Sequence, residues 1–122
     1  MNIDCFVSTV ENLCQKLPDK IFEGLNLGIG ISEEIKLHPK TKKHKAPLYI
    51  FGEYRYGIHT GCGILLYYGS FINAYPGISE ELLKKKIEET LKHELMHHLE
   101  TQAGERKLAI ADAMRLKGYC DT

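Results

Sequence analysis

Two histidines four residues apart bracket a glutamate in the run His93-Glu94-Leu95-Met96-His97. On a helix, four residues bring the second imidazole to within about 40° of the first and one turn further along, so both can reach one metal ion. This is the spacing in which paired imidazoles bind zinc and the intervening glutamate works on its water. Glu94 stands about 100° round from His93, too far for an obvious ligand but near enough to touch a metal-bound water, so its expected role is general base. Six histidines and twelve glutamates in 122 residues give about 0.03 chance occurrences of the pattern before a helix is required, so the spacing alone does not exclude coincidence.

A catalytic zinc needs a third protein ligand and one open position. Glu105 is the first choice, because Gly104 before it suits a left-handed turn that would swing the chain back toward the metal. Glu100, three residues after His97 on the same helical face, is the alternative, and Asp112 is a more distant one. The carboxylate left over is expected to orient a ligand or to remain a surface charge. If His93, His97, Glu100 and Glu105 all bound at once, the metal would be structural and the chain a non-catalytic zinc-binding interaction module. A domain that binds no metal is the third reading. Two imidazoles and a carboxylate also suit iron(II) or nickel, but the motif favours zinc.

These residues need a helix, and the sequence supplies one. Ser79 followed by Glu80 and Glu81 reads as an N-cap with acid at the positive helix end, and the helix is expected to run to about residue 103. Leu83, Ile87, Leu91, Leu95 and Leu99 form its drifting apolar stripe, with the motif histidines off to one side. His98 falls inside that stripe and reads as a packed core histidine. Gly104 is the expected stop, and a final helix follows with Leu108, Ala109, Ala113 and Leu116. Upstream, residues 4–17 carry a second amphipathic pattern, ended by Pro18. Residues 25–31 alternate as a strand that Ile35 and Leu37 could extend, and 38–47 reads as a solvated loop holding His38 and His44. Residues 48–56 and 63–69 read as strands joined through a glycine-rich connection that holds His59. The expected class is α+β, a single domain over 1–122, with an N-terminal helix, a sheet of about three strands, the long motif helix and a C-terminal helix.

Sixteen basic and sixteen acidic residues cancel, so no whole-molecule field draws the chain to nucleic acid or an anionic membrane. The longest apolar stretches fall far short of the roughly 20 residues that cross a bilayer, and the first residues lack a signal-peptide pattern, so a cytoplasmic location is expected. Cys5, Cys14, Cys62 and Cys120 are scattered and read as free thiols. Lys36, Lys40, Lys42, Lys43 and Lys45 cluster around one loop and read as a solvated face, without the aromatic side chains that nucleic-acid binding would add.

The run His93-Glu94-Leu95-Met96-His97-His98-Leu99, the preceding Ile87-Glu88-Glu89-Thr90-Leu91 and the aromatic segments 48–54 and 64–68 together resemble the minimal zincins, a family of small bacterial metallopeptidases. The likeness covers most of the chain. Where members carry Gly three residues and Asp six residues after the second histidine, this chain has Glu100 and Ala103, and Gly104-Glu105 looks like the same turn and acid displaced by an insertion. The resemblance implies a few strands beside a helix pair, a zinc cofactor and hydrolysis of a peptide or protein substrate. In such a reaction a further donor would stabilise the oxyanion, and Tyr54, Tyr56, His59, Tyr67 and Tyr75 are the candidates. The strand at 64–68 could offer its edge to an extended peptide.

Overall fold

A computed structural model describes residues 1–43, 46–57 and 59–116, with 42–43 and 107–116 as backbone alone. Helix α1 (Ile3–Gln15) begins where the Asn2 Oδ1 accepts the Cys5 N–H at 2.8 Å, with Asp4 in its first turn. Its apolar stripe buries Phe6 and Val10 and half-buries Leu13, Cys14 and Leu17, as the spacing predicts. Strand β1 (Gly28–Ser32) follows, then the short β2 (Lys36–Leu37), β3 (Tyr49–Ile50), β4 (Gly52–Gly57) and β5 (Gly61–Tyr67). Helix α2 (Tyr68–Ala74) starts directly from β5, and α3 (Glu80–Leu116) closes the described chain.

The class is α+β, and the sheet that matters for the site has the order β1-β5-β4. Strand β5 lies at its centre, parallel to β1 and antiparallel to β4. Of the segment expected to offer an edge, 64–68, residues 64–66 are paired on both sides and Tyr68 begins α2, and the outer strand beside α3 is β4. The single strand expected over 48–56 breaks at Phe51: β3 pairs with β2 in a separate two-stranded sheet, and β4 pairs with β5. Ile35 and Leu37 accordingly do not extend β1: Ile35 lies in no strand and Leu37 belongs to β2. Helix α2 takes over what reads as the end of a strand, because Phe71 and Ser70 bury where the chain turns off the sheet.

The β4–β5 turn depends on a glycine. Gly61 has φ +96, and a Cβ there would lie 2.2 Å from the Asn26 amide. The absence of that Cβ lets the Asn26 Oδ1 accept the Cys62 N–H at 2.8 Å, tying the turn to the segment before β1.

Helix α3 starts as predicted, with the Ser79 Oγ accepting the Leu82 N–H at 3.3 Å. It does not stop at Gly104. The helix is continuous for 37 residues, so the expected C-terminal helix is its last third. Gly104 is absent from the glycines with positive φ, and a helix-interior glycine costs only about 1 kcal/mol, too little to break a helix without a following proline. Leu83, Ile87, Leu91 and Leu95 enter the core with Phe6, Leu66 and Phe71. Leu99 does not, being 41% exposed, because each four-residue step turns about 40° past a full rotation and four steps carry it off the core. His98 takes its place, fully buried. Asp112, Leu108, Ala109, Ala113 and Leu116 have side chains outside the described residues, as do Lys42 and Lys43, and His44, Lys45 and Cys120 lie outside them entirely. Cys5, Cys14 and Cys62 are free thiols. No described helix is long and apolar enough to cross a membrane.

This rotation predicts a contrast between two leucines one turn apart. Leu95→Ala should cost about 2–5 kcal/mol in urea unfolding, the range for a buried leucine, and Leu99→Ala should change stability by no more than about 0.5 kcal/mol. Equal losses at the two positions would contradict the packing.

Candidate metal centre

His93 and His97 project from successive turns of α3 with their Nε2 atoms 3.1 Å apart, ring centroids 4.6 Å apart and planes at 85°. Two nitrogens bonded at about 2.0–2.1 Å to a tetrahedral zinc would lie roughly 3.3–3.4 Å apart, so the pair fits one ion with little adjustment. Both rings are exposed, while Glu94 between them is 6% exposed. One donor atom from each of the three lies within 4.8 Å of the others. Burial pushes the Glu94 carboxyl above its ordinary range, the two imidazoles partly offset this, and Glu53 adds to it. No hydrogen bond from a described residue contributes to holding its charge.

The wall opposite the helix is β4. Gly52 faces α3, and a Cβ there would sit 3.0 Å from Thr90 Cγ2 and 3.4 Å from Glu94 Cγ. Two hollows meet at this point, sharing Gly52 and Glu94. One of about 580 Å³ takes in Glu53, Tyr54, His97, Glu100 and Thr101, and one of about 330 Å³ takes in Phe51, Glu89, Thr90 and His93. Together they make an open groove along α3 with the paired imidazoles near its middle. Thr90 stands one turn before Glu94 and Thr101 one turn after His97, so helical spacing alone could have placed them on this face. Glu53 had no such signal, since it belongs to the groove only because β4 runs beside α3. Partial burial pushes its carboxyl up, but hydrogen bonds from Lys36 and Tyr67 outweigh this and hold it below the usual range. Its ion pairs reach Lys36 and, at 3.4 Å, Arg55.

Of the candidate oxyanion donors, only Tyr54 lines the groove. Tyr56 is exposed and close to Glu105, whose hydrogen bond is the first cause raising its pKa. Tyr67 is buried beside Lys36, Tyr75 stacks on Phe51 at 5.6 Å, and His59 is an exposed turn residue. Tyr54 itself has a committed proton. The fully buried His98 holds its Nε2 2.6 Å from the Glu23 carbonyl, which can only accept, so Nε2 carries the proton. In the neutral ring Nδ1 is then an acceptor, and the Tyr54 hydroxyl at 2.8 Å donates to it. The Tyr54 phenol is pushed up to about 12, first by burial and then by Cys62. The hydroxyl proton of Tyr54 is therefore engaged with His98.

The third-ligand expectations also change. Because α3 continues through Gly104, Glu105 stands eight residues beyond His97, about 12 Å along the axis, and it approaches Tyr56 instead. Glu100 lines the groove, but its Oε2 lies 3.8 Å from His97 Nδ1, on the far side of the ring from the paired Nε2 atoms. At that distance it makes no hydrogen bond to the ring. Neither carboxylate joins the group formed by His93, Glu94 and His97.

No family model and no curated protein matches the chain. Among solved structures, a conserved hypothetical protein from Thermus thermophilus is 32% identical, with a TM-score of 0.72 over 85% of this chain and 99% of the other. At that identity, with the other chain matched almost end to end, this protein belongs to the same family as the Thermus thermophilus protein.

Proposed function

We propose that the chain is a zinc-dependent peptidase, in keeping with its resemblance to the minimal zincins. The observation that carries this reading is the pair of Nε2 atoms 3.1 Å apart beside a buried carboxylate, at the middle of an open groove. His93 and His97 would supply two of the metal's protein ligands, and Glu100, on the same helical face with its Oε2 3.8 Å from His97 Nδ1, is the carboxylate a side-chain rotation would bring toward that ring. A bound zinc ion supplies Lewis acidity, lowering the pKa of water toward about 7 and polarising a carbonyl. Glu94 accepts the proton of the attacking water and passes it to the leaving amine, a role that suits a carboxyl whose burial strengthens its hold on a proton. Tyr54, with its proton given to His98, can accept a substrate N–H and so hold the peptide beside Glu94.

The outer edge of β4 supports an extended substrate. Gly52, Glu53 and Tyr54 line the groove from that strand, and β4 is paired only with β5 among the described strands. A peptide added along it would be held by backbone hydrogen bonds and would be tolerant of sequence. The open groove favours this over the interaction-module reading, in which a closed donor set would leave no room for substrate.

Metal affinity separates the roles of the side chains. Zinc titration of chelator-stripped protein should give one site per chain, abolished by His93→Ala, weakened about 10- to 100-fold by Glu100→Ala and unchanged by Glu105→Ala. Loss of binding in Glu105→Ala would restore the turn at Gly104. Glu94→Gln should keep the zinc affinity while reducing hydrolysis of an unstructured casein-type substrate by about 10²- to 10⁴-fold. A parent protein that binds zinc but cleaves nothing would support the interaction module.

Stability against pH gives an independent check on Glu94 in the metal-free protein. Its folded pKa lies above the unfolded value, so stability is full while both states are protonated and falls as pH rises through the carboxylate range. Glu94→Gln removes that loss. The variant should melt higher than the parent at pH 7, and the two should converge once pH falls below the ordinary carboxylate range.

A further inference from the structure

Helix α1 and the first half of α3 leave a recess between them on the side of α3 turned away from the paired histidines. Its two adjoining hollows, of about 250 and 220 Å³, share Leu13, Lys16 and Glu88. Leu13, Leu17 and the fully buried Leu91 make an apolar floor. Lys16, Lys84, Lys85 and Lys92 stand around it, against a single acid, Glu88, which Lys92 already holds at 2.9 Å. Four cations face one anion among the lining residues, and with Glu81, about 20° from Lys92 and one turn before Lys85, the strip keeps two net positive charges in a chain whose net charge is zero.

The strip continues past the end of α1. Lys85, Glu88, Met96 and Leu99 all fall within about 40° of Lys92 round the helix. Met96 is 56% exposed and Leu99 41%, so the apolar part of the strip runs on without a described element covering it. From Lys85 to Leu99 the face is about 21 Å long, or four helical turns. His93 and His97 lie roughly 100–140° further round, on a different face.

We propose that this strip docks an acidic amphipathic helix of a partner protein. Its apolar side chains would seat on the half-buried Leu13 and Leu17 and continue onto Met96 and Leu99, while its carboxylates meet Lys16, Lys84 and Lys85. The length matches a helix of about 15 residues, and the concavity chooses between occupants that share negative charge. A bilayer surface cannot reach a floor that lies below its rim, whereas the side chains of a helix can. Nucleic acid would leave the leucine floor covered by nothing apolar, since no aromatic side chain lines the recess. The proposal is independent of metal binding and of peptidase activity.

The test is an NMR titration of the ¹⁵N-labelled full chain with a synthetic helix of roughly 18 residues, carrying leucine at three- and four-residue spacing and glutamate elsewhere. A twin peptide with lysine in place of glutamate is the control. The acidic peptide should saturate, shifting the amides of Leu13, Lys16, Glu88, Lys92 and Met96 while leaving His93 and His97 in place. Its affinity should fall with added salt, and the exposed double change Lys84→Glu with Lys85→Glu should weaken it about tenfold or more. Equal binding by the lysine twin, shifts centred on His93 and His97, or no saturation with either peptide would overturn the proposal. So would lysine-dependent binding to phosphatidylglycerol vesicles without peptide binding, which would assign the strip to a membrane surface. The mapping on the parent protein stands even if the double variant is poorly folded.

Discussion

The approach of α3 to β4 at Gly52 is the constraint from which the site follows. A Cβ on Gly52 would press on Thr90 Cγ2 at 3.0 Å and on Leu66 Cδ2 at 3.1 Å, and would touch the Glu94 stem at 3.4 Å. With only a hydrogen there, the Glu94 stem packs against the strand and its carboxyl is drawn out of water, while His93 and His97 stay at the open rim. Glu94 differs from any other glutamate of the helix because of that contact. A buried carboxyl holds its proton more firmly than an exposed one, and here the burial is created by strand-to-helix packing and not by a charge partner.

The same packing explains which parts of the site were legible in the sequence. The helix, its Ser79 cap and the His93-Glu94-His97 spacing are local, and local rules are enough for them. Glu53 and Tyr54 reach the groove only through the pairing of β4 with β5 and the seating of α3 beside it, and no pattern along the chain encodes that. Glu105 stands away from the paired histidines for a related reason. Gly104 permits a turn but does not compel one, and the residues after it include good helix formers, so the helix simply continues. The strand-edge expectation failed because residues 64–68, though rich in strand formers, say nothing about whether they end up central or outer.

Drift of the apolar stripe also has a structural consequence that a fixed repeat would lack. Had the four-residue spacing held the core through Leu99, position 98 would point away from the interior. The rotation brings His98 inward instead, where its two ring nitrogens join the Glu23 carbonyl to the Tyr54 hydroxyl. One buried imidazole thus links three separate elements: the segment before β1, strand β4 and helix α3. Both of its hydrogen bonds are satisfied, so it adds positional order without the penalty of an unpaired polar group.

Seen down its axis, α3 divides its circumference among three tasks. One side carries Leu83, Ile87, Leu91 and Leu95 into the core, a second carries His93 and His97 to the groove, and a third carries Lys85, Lys92, Met96 and Leu99 outward. At about 100° per residue no position can serve two of these faces fully, and neighbours in sequence are assigned to different ones. Leu95 and Met96, inside the motif itself, show the consequence: the first is core and the second is exposed. A helix whose leucine stripe is packed in the core tolerates little rotation about its own axis, because a turn that moved the histidines would pull Leu83, Ile87, Leu91 and Leu95 out of it. The fixed placement of His93 and His97 beside β4 is therefore a property of the helix as packed in the core, and Gly52 permits the close contact that this packing requires.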